Sequence, residues 1–320
     1  MHFLQKGAFL KVGLLQIDGK MPNLALLQIA QYHLNQGDSV QMYVPFARKS
    51  YGKIYASKIF NFSNFPSWYP KDAILGGTGV DPYGKLPEEI ENTVIQKEAW
   101  DAIYPKFEPN LGFSMKGCRF KCDFCVVPKK EGRPIGFNSV SEIMVKPSNK
   151  LILLDNDFFG GPRWEETIQE IIEKKIEVCF QQGLNIRILK PKQADYLAQC
   201  DFWNVSFKYK QVTFAWDKYK DKKLIQRGID MCLDAGIKAY KMQFFVLVGF
   251  DTSPEEDLER VEYLRSRGCD IFVMRMMERE SYETEKDFER TKHFQRWVNR
   301  RWIFNKCTFK EYCKEVGFKE

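Results

Sequence analysis

The chain contains, at residues 117–125, the sequence GCRFKCDFC, which places three cysteines within eight residues. Cys118, Cys122 and Cys125 are spaced as C-x3-C-x2-C. A loop with this spacing can curl so that three thiolates converge on one small concave patch. Three thiolates are one short of a structural zinc site, and no histidine follows nearby to complete one. They suit a [4Fe–4S] cluster whose fourth iron takes a ligand from outside the protein.

Two simpler explanations of these cysteines stay open, namely an incomplete zinc knuckle and inert structural thiols. Disulfides are not expected, because a chain of 320 residues can bury a core without them. The nine cysteines are an odd number and are scattered outside this one loop. This usage predicts a reducing, cytoplasmic location and a metal site.

Length and composition predict an ordinary globular protein of one large domain or two modest ones. No apolar run approaches the roughly 20 residues of a membrane span, and residues 1–6 begin no secretory signal. We therefore expect no membrane partner. The net charge of +7 permits an anionic substrate or nucleic acid, but the basic residues form no long blocks.

Hydrophobic patterning predicts a parallel sheet in the first third of the chain. Residues 10–17 and 39–44 are typical of strands, and residues 24–34 carry the apolar stripe of a helix. Such a βαβ unit requires a right-handed crossover. Residues 51–60 predict a further crossover that contains a helix.

A glycine-rich turn at residues 76–79 follows a short predicted strand at residues 72–75. Glycines let backbone amides approach a ligand closely. This turn lacks the lysine of a phosphate-binding loop and the spacing of a dinucleotide-binding fingerprint. A tight turn without a ligand is therefore the favoured interpretation.

The rest of the chain alternates predicted strands with helical stretches, which indicates a parallel sheet and an open partial barrel. Polar side chains follow most of these strands, at the edge where ligands gather in parallel α/β folds. The six predicted strands lie at residues 111–115, 151–154, 177–180, 212–215, 244–248 and 271–274.

The cysteine loop, placed directly after an apolar strand, resembles the cluster loop of the radical S-adenosylmethionine (SAM) superfamily. The resemblance implies a partial (β/α)6 barrel and a [4Fe–4S] cluster whose open iron binds the amino and carboxylate groups of SAM. It implies reductive cleavage of SAM to a 5′-deoxyadenosyl radical, which abstracts hydrogen from a substrate that the sequence does not identify. It also implies an external electron donor such as flavodoxin or ferredoxin.

The N-terminal region resembles the cobalamin-binding-like Rossmann domain that precedes this barrel in one subgroup. Residues 22–26, 37–40 and 76–79 carry the resemblance. No D-x-H-x-x-G segment is present, and the region is short for a full cobalamin cradle. We expect a degenerate domain that has kept the fold, so bound cobalamin is possible but not favoured. The predicted domains are therefore 1–105, 106–280 and 281–320.

The resemblance also assigns SAM contacts to polar residues after the second and third strands of the barrel. Asp155 and Asn156 are expected to bind the methionine amine. Gln182 and Asn185 can reach a ribose or the substrate. Arg187 can bind a carboxylate with two hydrogen bonds, or it can form a structural ion pair.

Four further residues complete the predicted cofactor site. Asp217 is a candidate for the ribose hydroxyls or for a helix cap. Leu247 and Gly249 are expected beside the adenine, and Phe124 lies within the cysteine loop. No residue can be assigned to the substrate step.

The C-terminal residues 286–304 interleave aromatic and basic side chains. This pattern is typical of surfaces that stack bases, but a helix that closes the open side of the barrel is favoured. Two alternative functions stay open, a cobalamin-dependent radical SAM methyltransferase and a zinc-knuckle protein that binds nucleic acid.

Overall fold

A computed structural model describes residues 9–276, 282 and 284–319. These residues form a mixed α/β fold whose sheets are mostly parallel, which confirms the α/β class that the sequence predicted. None of the helices in this part of the chain has the length and apolar character needed to cross a membrane. The predictions for residues 1–6 and for the domain boundary at 280–281 lie outside the described residues.

The strands of the described part are β1 (Lys11–Gln16), β2 (Ser39–Met42), β3 (Lys53–Ser57), β4 (Ile74–Gly76), β5 (Asn110–Gly112), β6 (Met115–Lys116), β7 (Ile135–Gly136), β8 (Lys150–Leu153), β9 (Glu177–Phe180), β10 (Asp201–Phe202), β11 (Val212–Ala215), β12 (Met242–Val248) and β13 (Asp270–Arg275). The helices are α1 (Leu24–Asn35), α2 (Glu88–Glu91), α3 (Lys97–Ile103), α4 (Val127–Lys130), α5 (Val140–Ile143), α6 (Trp164–Glu173), α7 (Pro191–Gln199), α8 (Lys222–Asp234), α9 (Pro254–Ser266), α10 (Glu285–Asn299), α11 (Arg301–Phe304) and α12 (Phe309–Glu315).

The first sheet has the strand order β2-β1-β3-β4, and all its pairs are parallel. The predicted crossover helix within residues 51–60 is wrong, because this segment supplies β3 at the centre of the sheet. Four consecutive residues from Ile54 to Ser57 are buried, as expected for a strand covered on both faces. The Asn23 side chain caps α1 by accepting a hydrogen bond from the amide of Leu26.

All six strands predicted for the rest of the chain are present, as β5, β8, β9, β11, β12 and β13. Together with the short strand β10, which was not predicted, they form two parallel sheets, with the orders β10-β9-β8-β5 and β11-β12-β13. A parallel bridge between Leu184 and Phe214 connects the end of β9 to β11. β5 ends earlier than predicted, because Met115 and Lys116 leave the sheet and pair with β7 instead.

The largest apolar core surrounds the second and third sheets, and it includes side chains of the C-terminal helices. Phe294, Trp297 and Phe304 are buried in it, whereas Trp302 is 67% exposed. Most of the aromatic side chains of residues 286–304 therefore belong to the hydrophobic core. A second core joins Val12 of the first sheet to Leu111 of the second, across the predicted boundary at residue 105.

Candidate functional site

The cysteine loop lies at the end of the antiparallel β6–β7 ribbon, which holds its two ends together. The amide of Cys118 donates to the carbonyl of Gly132 over 3.1 Å. Gly117 has φ +85°, and a Cβ at this position would overlap with the carbonyl of Arg133. Only glycine fits this left-handed, close-packed position, so the residue before the first cysteine has a backbone role.

The three residues that follow β8 hold the cysteine loop onto the sheet, and we call Asp155, Asn156 and Asp157 the strand-end clamp. Asp155 accepts hydrogen bonds from the amides of Ser114 and Met115, at 2.8 and 3.3 Å, and from the Ser114 hydroxyl. These bonds pull the chain out of the sheet after β5. Burial raises the pKa of Asp155 to about 7 although its hydrogen bonds act in the opposite direction.

The other two members of the clamp grip the loop itself. Asp157 accepts two hydrogen bonds from the Arg119 guanidinium, at 2.7 and 2.8 Å, and one from its amide. The Nδ2 of Asn156 donates to Glu131 Oε2 over 2.8 Å, and the same oxygen accepts the amide of Gly117 at 2.9 Å. The clamp therefore holds the chain before, at the start of and within the cysteine loop.

Residues from four separate segments line one cavity of about 250 Å³ beneath this loop. The cavity lies at the carboxyl ends of β8, β9 and β11. It brings together nine of the residues that the sequence assigned to the site, namely Cys118, Cys122, Phe124, Cys125, Asn156, Gln182, Asn185, Arg187 and Asp217.

Charged groups on one side of this cavity are already partly paired. Arg187 Nη1 forms an ion pair with Asp221 at 2.7 Å, and its Nε donates to Asn185 Oδ1 over 3.1 Å. The guanidinium also lies 4.7 Å from the ring centre of Phe120. The structural ion pair that was one interpretation of Arg187 is thus present, and the side chain still lines the cavity.

Asp217 lines the same cavity. Burial raises its pKa to about 6, and the neighbouring positive charges of Arg187 and Arg260 only partly oppose this effect. A carboxyl in this state can accept or donate hydrogen bonds near neutral pH.

Three of the assigned residues do not line this cavity. Asp155 is buried in the clamp. Leu247 is 8% exposed, and its carbonyl accepts a hydrogen bond from Arg260. Gly249 lines a separate cavity of about 420 Å³. The next residue, Phe250, contacts Phe124 edge-to-face at 5.3 Å and so connects this segment to the cysteine loop.

Arg260 is a residue of the site region that sequence reasoning missed. It is fully buried on α9, pairs with Asp257, and donates to the carbonyls of Trp216 and Asp217 at 2.8 and 3.2 Å. With its bond to Leu247 it ties the ends of β11 and β12 together. The signal in the sequence was an Asp–Arg pair spaced i, i+3 on a helix face that is otherwise apolar.

The protonation of the cysteines depends on what they bind. Burial raises the pKa of Cys118 to about 11, so the free loop carries a thiol at neutral pH. Metal binding requires the thiolate and therefore releases a proton.

Among the described residues, no three His, Cys, Asp or Glu side chains converge on a point where one metal ion would sit. Each cysteine of a [4Fe–4S] cluster binds a different iron atom, so a cluster does not require such convergence.

The chain's own groups occupy the carboxyl edge of the first sheet. Asp18 accepts hydrogen bonds from the amides of Ile59 and Phe60, at 2.7 and 2.9 Å. Gly77 has φ +105°, and a Cβ there would overlap with the carbonyl of Lys58. The glycine turn therefore packs backbone against backbone.

No family model matches the chain, and no curated protein matches its sequence. The geometry of the site is thus the basis for a functional assignment.

Proposed function

We propose that this protein is a radical SAM enzyme, in which a [4Fe–4S] cluster bound by Cys118, Cys122 and Cys125 cleaves SAM reductively. One observation carries the proposal. Residues that the sequence assigned to the cluster and to SAM, from four segments of the chain, line the same cavity. Inert structural thiols would not require the polar ends of three strands to gather beneath them.

The strand orders support the fold that this proposal implies, a Rossmann-like domain followed by a partial barrel. The order β2-β1-β3-β4 matches the order in which flavodoxin-like, doubly wound sheets begin, which supports a Rossmann-like first domain. In the second sheet β5, β8 and β9 lie side by side, with the two-residue β10 beyond β9; β11, β12 and β13 lie side by side in the third, and the Leu184–Phe214 bridge connects the two groups. The six longer strands, in this order, would correspond to a partial (β/α)6 barrel.

The side chains around the cavity match the polar groups of SAM. Asn156 donates its Nδ2 hydrogen to Glu131, so its Oδ1 is the atom left to accept a hydrogen bond from an ammonium group. Gln182 and Asp217 can bind ribose hydroxyls. Phe120 and Phe124 add apolar walls that keep water away from a reactive species.

The bound cluster and SAM would supply the chemistry, a one-electron cleavage that yields a 5′-deoxyadenosyl radical. The protein's part is to hold the three thiolates, to orient SAM, and to shield the site. The strand-end clamp serves the first of these tasks, because it ties the cysteine loop to β8 at several points.

Cobalamin is not included in the proposal. A corrinoid would have to bind at the carboxyl edge of the first sheet. There, Asp18 already accepts hydrogen bonds from the backbone of residues 59 and 60, and Gly77 packs against the backbone of Lys58. Tight corrinoid binding by the purified protein would instead favour the methyltransferase alternative.

The test is the formation of 5′-deoxyadenosine from SAM by anaerobically reconstituted protein that has been reduced with dithionite. We expect product from the wild type, and background levels from Cys118→Ala, Cys122→Ala and Cys125→Ala. Iron content and the visible absorption spectrum should show a cluster in the wild type and not in these three variants. Cys307→Ala is the matched control, because this half-buried cysteine lies outside the loop.

Three results would contradict the proposal. A protein that takes up zinc and refuses iron would support the zinc-knuckle alternative, as would strongly salt-dependent binding of nucleic acid that the three cysteine variants lose. A loop variant that retains both iron and product formation would show that the cysteines are not the cluster ligands.

A further inference from the structure

We propose that the loop between β3 and β4 binds single-stranded nucleic acid and presents it, as the substrate, to the cavity beneath the cysteine loop. We call this loop, residues 58–73, the aromatic loop. That the bound strand is a substrate rests on the proposed function, whereas binding of the strand to the aromatic loop does not depend on it.

The aromatic loop turns large aromatic side chains toward solvent. Five of its sixteen residues are aromatic, and four of these residues are between 43% and 66% exposed. The loop contains no helix or strand, and ordered loops of this length are uncommon in compact domains and usually carry function. A group of exposed large apolar side chains marks a surface that a partner covers. The four exposed residues are Phe60, Phe62, Phe65 and Trp68.

Hydrogen bonds hold the backbone of the aromatic loop in place. The Asp18 carboxylate accepts hydrogen bonds from the amides of Ile59 and Phe60, at 2.7 and 2.9 Å. Three hydrogen-bonded turns follow, and they are closed by the amides of Ser63, Tyr69 and Ala73. Because the backbone is fixed in this way, the rings are in position before a ligand arrives, and a smaller loss of entropy opposes binding.

The rings of the aromatic loop form two separate stacks. The planes of Phe60 and Phe62 lie at 18° to each other, with 5.3 Å between the ring centres. Trp68 stacks on Tyr43, which follows β2, at 28° and 6.2 Å. Bases of any sequence stack on exposed aromatic rings. Two stacks on one loop suit a ligand that carries several bases in a row, because a single nucleotide would occupy only one of them.

The aromatic loop borders the cysteine loop. Lys130, at the end of α4, donates a hydrogen bond to the Thr78 hydroxyl over 3.2 Å. The next residue, Gly79, packs so closely on the aromatic loop that a Cβ there would overlap with the backbone of Phe60. α4 begins at Val127, which lines the cavity where SAM is proposed to bind. A strand stacked on Phe60 therefore lies next to the segment that follows the cluster cysteines.

Exposed cations flank the aromatic loop. Lys71 lies within it, and Lys129 lies on α4 beside the residue that contacts Thr78. In the described part of the chain, neither lysine forms an ion pair with an acidic side chain. The one acidic residue of the loop, Asp72, is paired with Arg48. Aromatic rings beside such cations fit the bases and phosphates of a single strand, whereas acidic side chains of a protein would use the cations and leave the stacks empty.

The experiment measures, by fluorescence anisotropy, how the reconstituted protein binds a fluorescein-labelled RNA pool of random sequence over a range of salt concentrations. We expect Phe60→Ala/Phe62→Ala to raise the Kd at least about tenfold with its salt dependence unchanged, because stacking involves no net charge. Lys71→Gln/Lys129→Gln should lower the slope of log Kd against log salt by about 1.4, because each phosphate contact to a single strand contributes about 0.7.

Matched variants elsewhere control for the loss of an exposed ring and of charge. Trp302→Ala removes a residue that is 67% exposed on α11, and Lys310→Gln/Lys314→Gln removes two exposed lysines of α12. Both proteins should bind the RNA as the wild type does, and so should the three cysteine variants. The aromatic-loop and lysine variants replace exposed side chains, so urea denaturation should show the stability of the wild type.

A second assay tests whether the RNA is a substrate. With dithionite and the RNA pool, the wild type should form 5′-deoxyadenosine about twofold faster or more, because a substrate completes the site, and Phe60→Ala/Phe62→Ala should lose this increase. Binding without the increase would overturn the substrate assignment. No product from any protein, with or without RNA, would refute the proposed function, and the anisotropy data would still decide the binding surface.

Four results would overturn the binding surface. They are a wild type that does not bind the RNA pool, equal Kd values for the wild type and Phe60→Ala/Phe62→Ala, and equal losses of affinity in the aromatic-loop and control variants. The fourth is loss of binding in the cysteine variants alone, which would favour the zinc-knuckle alternative. Polyglutamate that competes as strongly as unlabelled RNA would overturn the choice of ligand in favour of an acidic protein.

Discussion

The carboxyl edges of the first and second sheets have the same parallel topology but opposite contents. In the first sheet, Asp18 accepts hydrogen bonds from the backbone amides of residues 59 and 60, and Gly77 packs against the backbone of Lys58. In the second, Asn156 and Gln182 face a cavity. Parallel topology makes a binding edge available, but the side chains that follow each strand decide whether the edge is filled or open.

At the filled edge, we expect a substitution at Gly77 to lower the free energy of unfolding most. Gly77→Ala adds a Cβ that overlaps with the carbonyl of Lys58, at a residue with φ +105°. We expect a loss of about 3 kcal/mol in the free energy of unfolding, from overpacking and backbone strain together. Gly76→Ala is the matched control, because no atom lies within 4 Å of its Cβ position, and it should change stability by less than about 0.5 kcal/mol. Urea denaturation of the two variants measures both values, and equal effects would show that the turn is not tightly packed.

The open edge depends on the strand-end clamp, and Asp157 is the member of the clamp that a single substitution tests most directly. Asp157→Asn removes a buried carboxylate, 2% exposed, that binds Arg119 with two hydrogen bonds. We expect a loss of about 2 kcal/mol in stability and weaker retention of iron, since the partner arginine is partly solvated.

Asp123→Asn provides the comparison for this variant. Asp123 is 77% exposed and pairs with Lys218, so its replacement should cost less than about 0.5 kcal/mol. Denaturation curves and iron analysis of both proteins, prepared in parallel, test the prediction. A larger effect at Asp123 than at Asp157 would show that the loop is held from its outer side.

The smallest expected effect concerns the cavity itself. Gln182→Ala removes an amide that lines it, and we expect SAM to bind about tenfold more weakly, with the stability of the fold unchanged. Gln199→Ala, at the end of α7, should bind SAM as the wild type does. Equilibrium dialysis with radiolabelled SAM measures both affinities, and equal binding by the two variants would remove Gln182 from the site.

Much of the architecture was predictable because it follows from local pattern. Apolar runs bounded by polar residues located six of the seven strands of the second and third sheets, and missed only β10, which is two residues long. The prediction failed at β3, where a short buried strand has no alternation to distinguish it from a helical segment. β5 was predicted too long, because its end is determined by hydrogen bonds to Asp155, which lies 40 residues away in the chain.

The site divides in the same way. The types and order of its residues, including the C-x3-C-x2-C spacing and the polar groups after β8, β9 and β11, could be read from the chain. The clamp, the inward position of Glu131 and the buried Arg260 could not, because each depends on contacts between distant segments. Gly249 illustrates the limit, since its position after β12 was correct but the structure opens it to a different cavity.

The sequence by itself determined the α/β class, the spacing of the three cysteines and the polar residues that follow the strands. These features are local, because hydrophobic periodicity and ligand spacing are properties of short segments. Only the tertiary structure decided which strand ends are filled and which are open. That outcome depends on hydrogen bonds between residues far apart in the chain, such as Asp157 with Arg119, and no pattern within one segment encodes them.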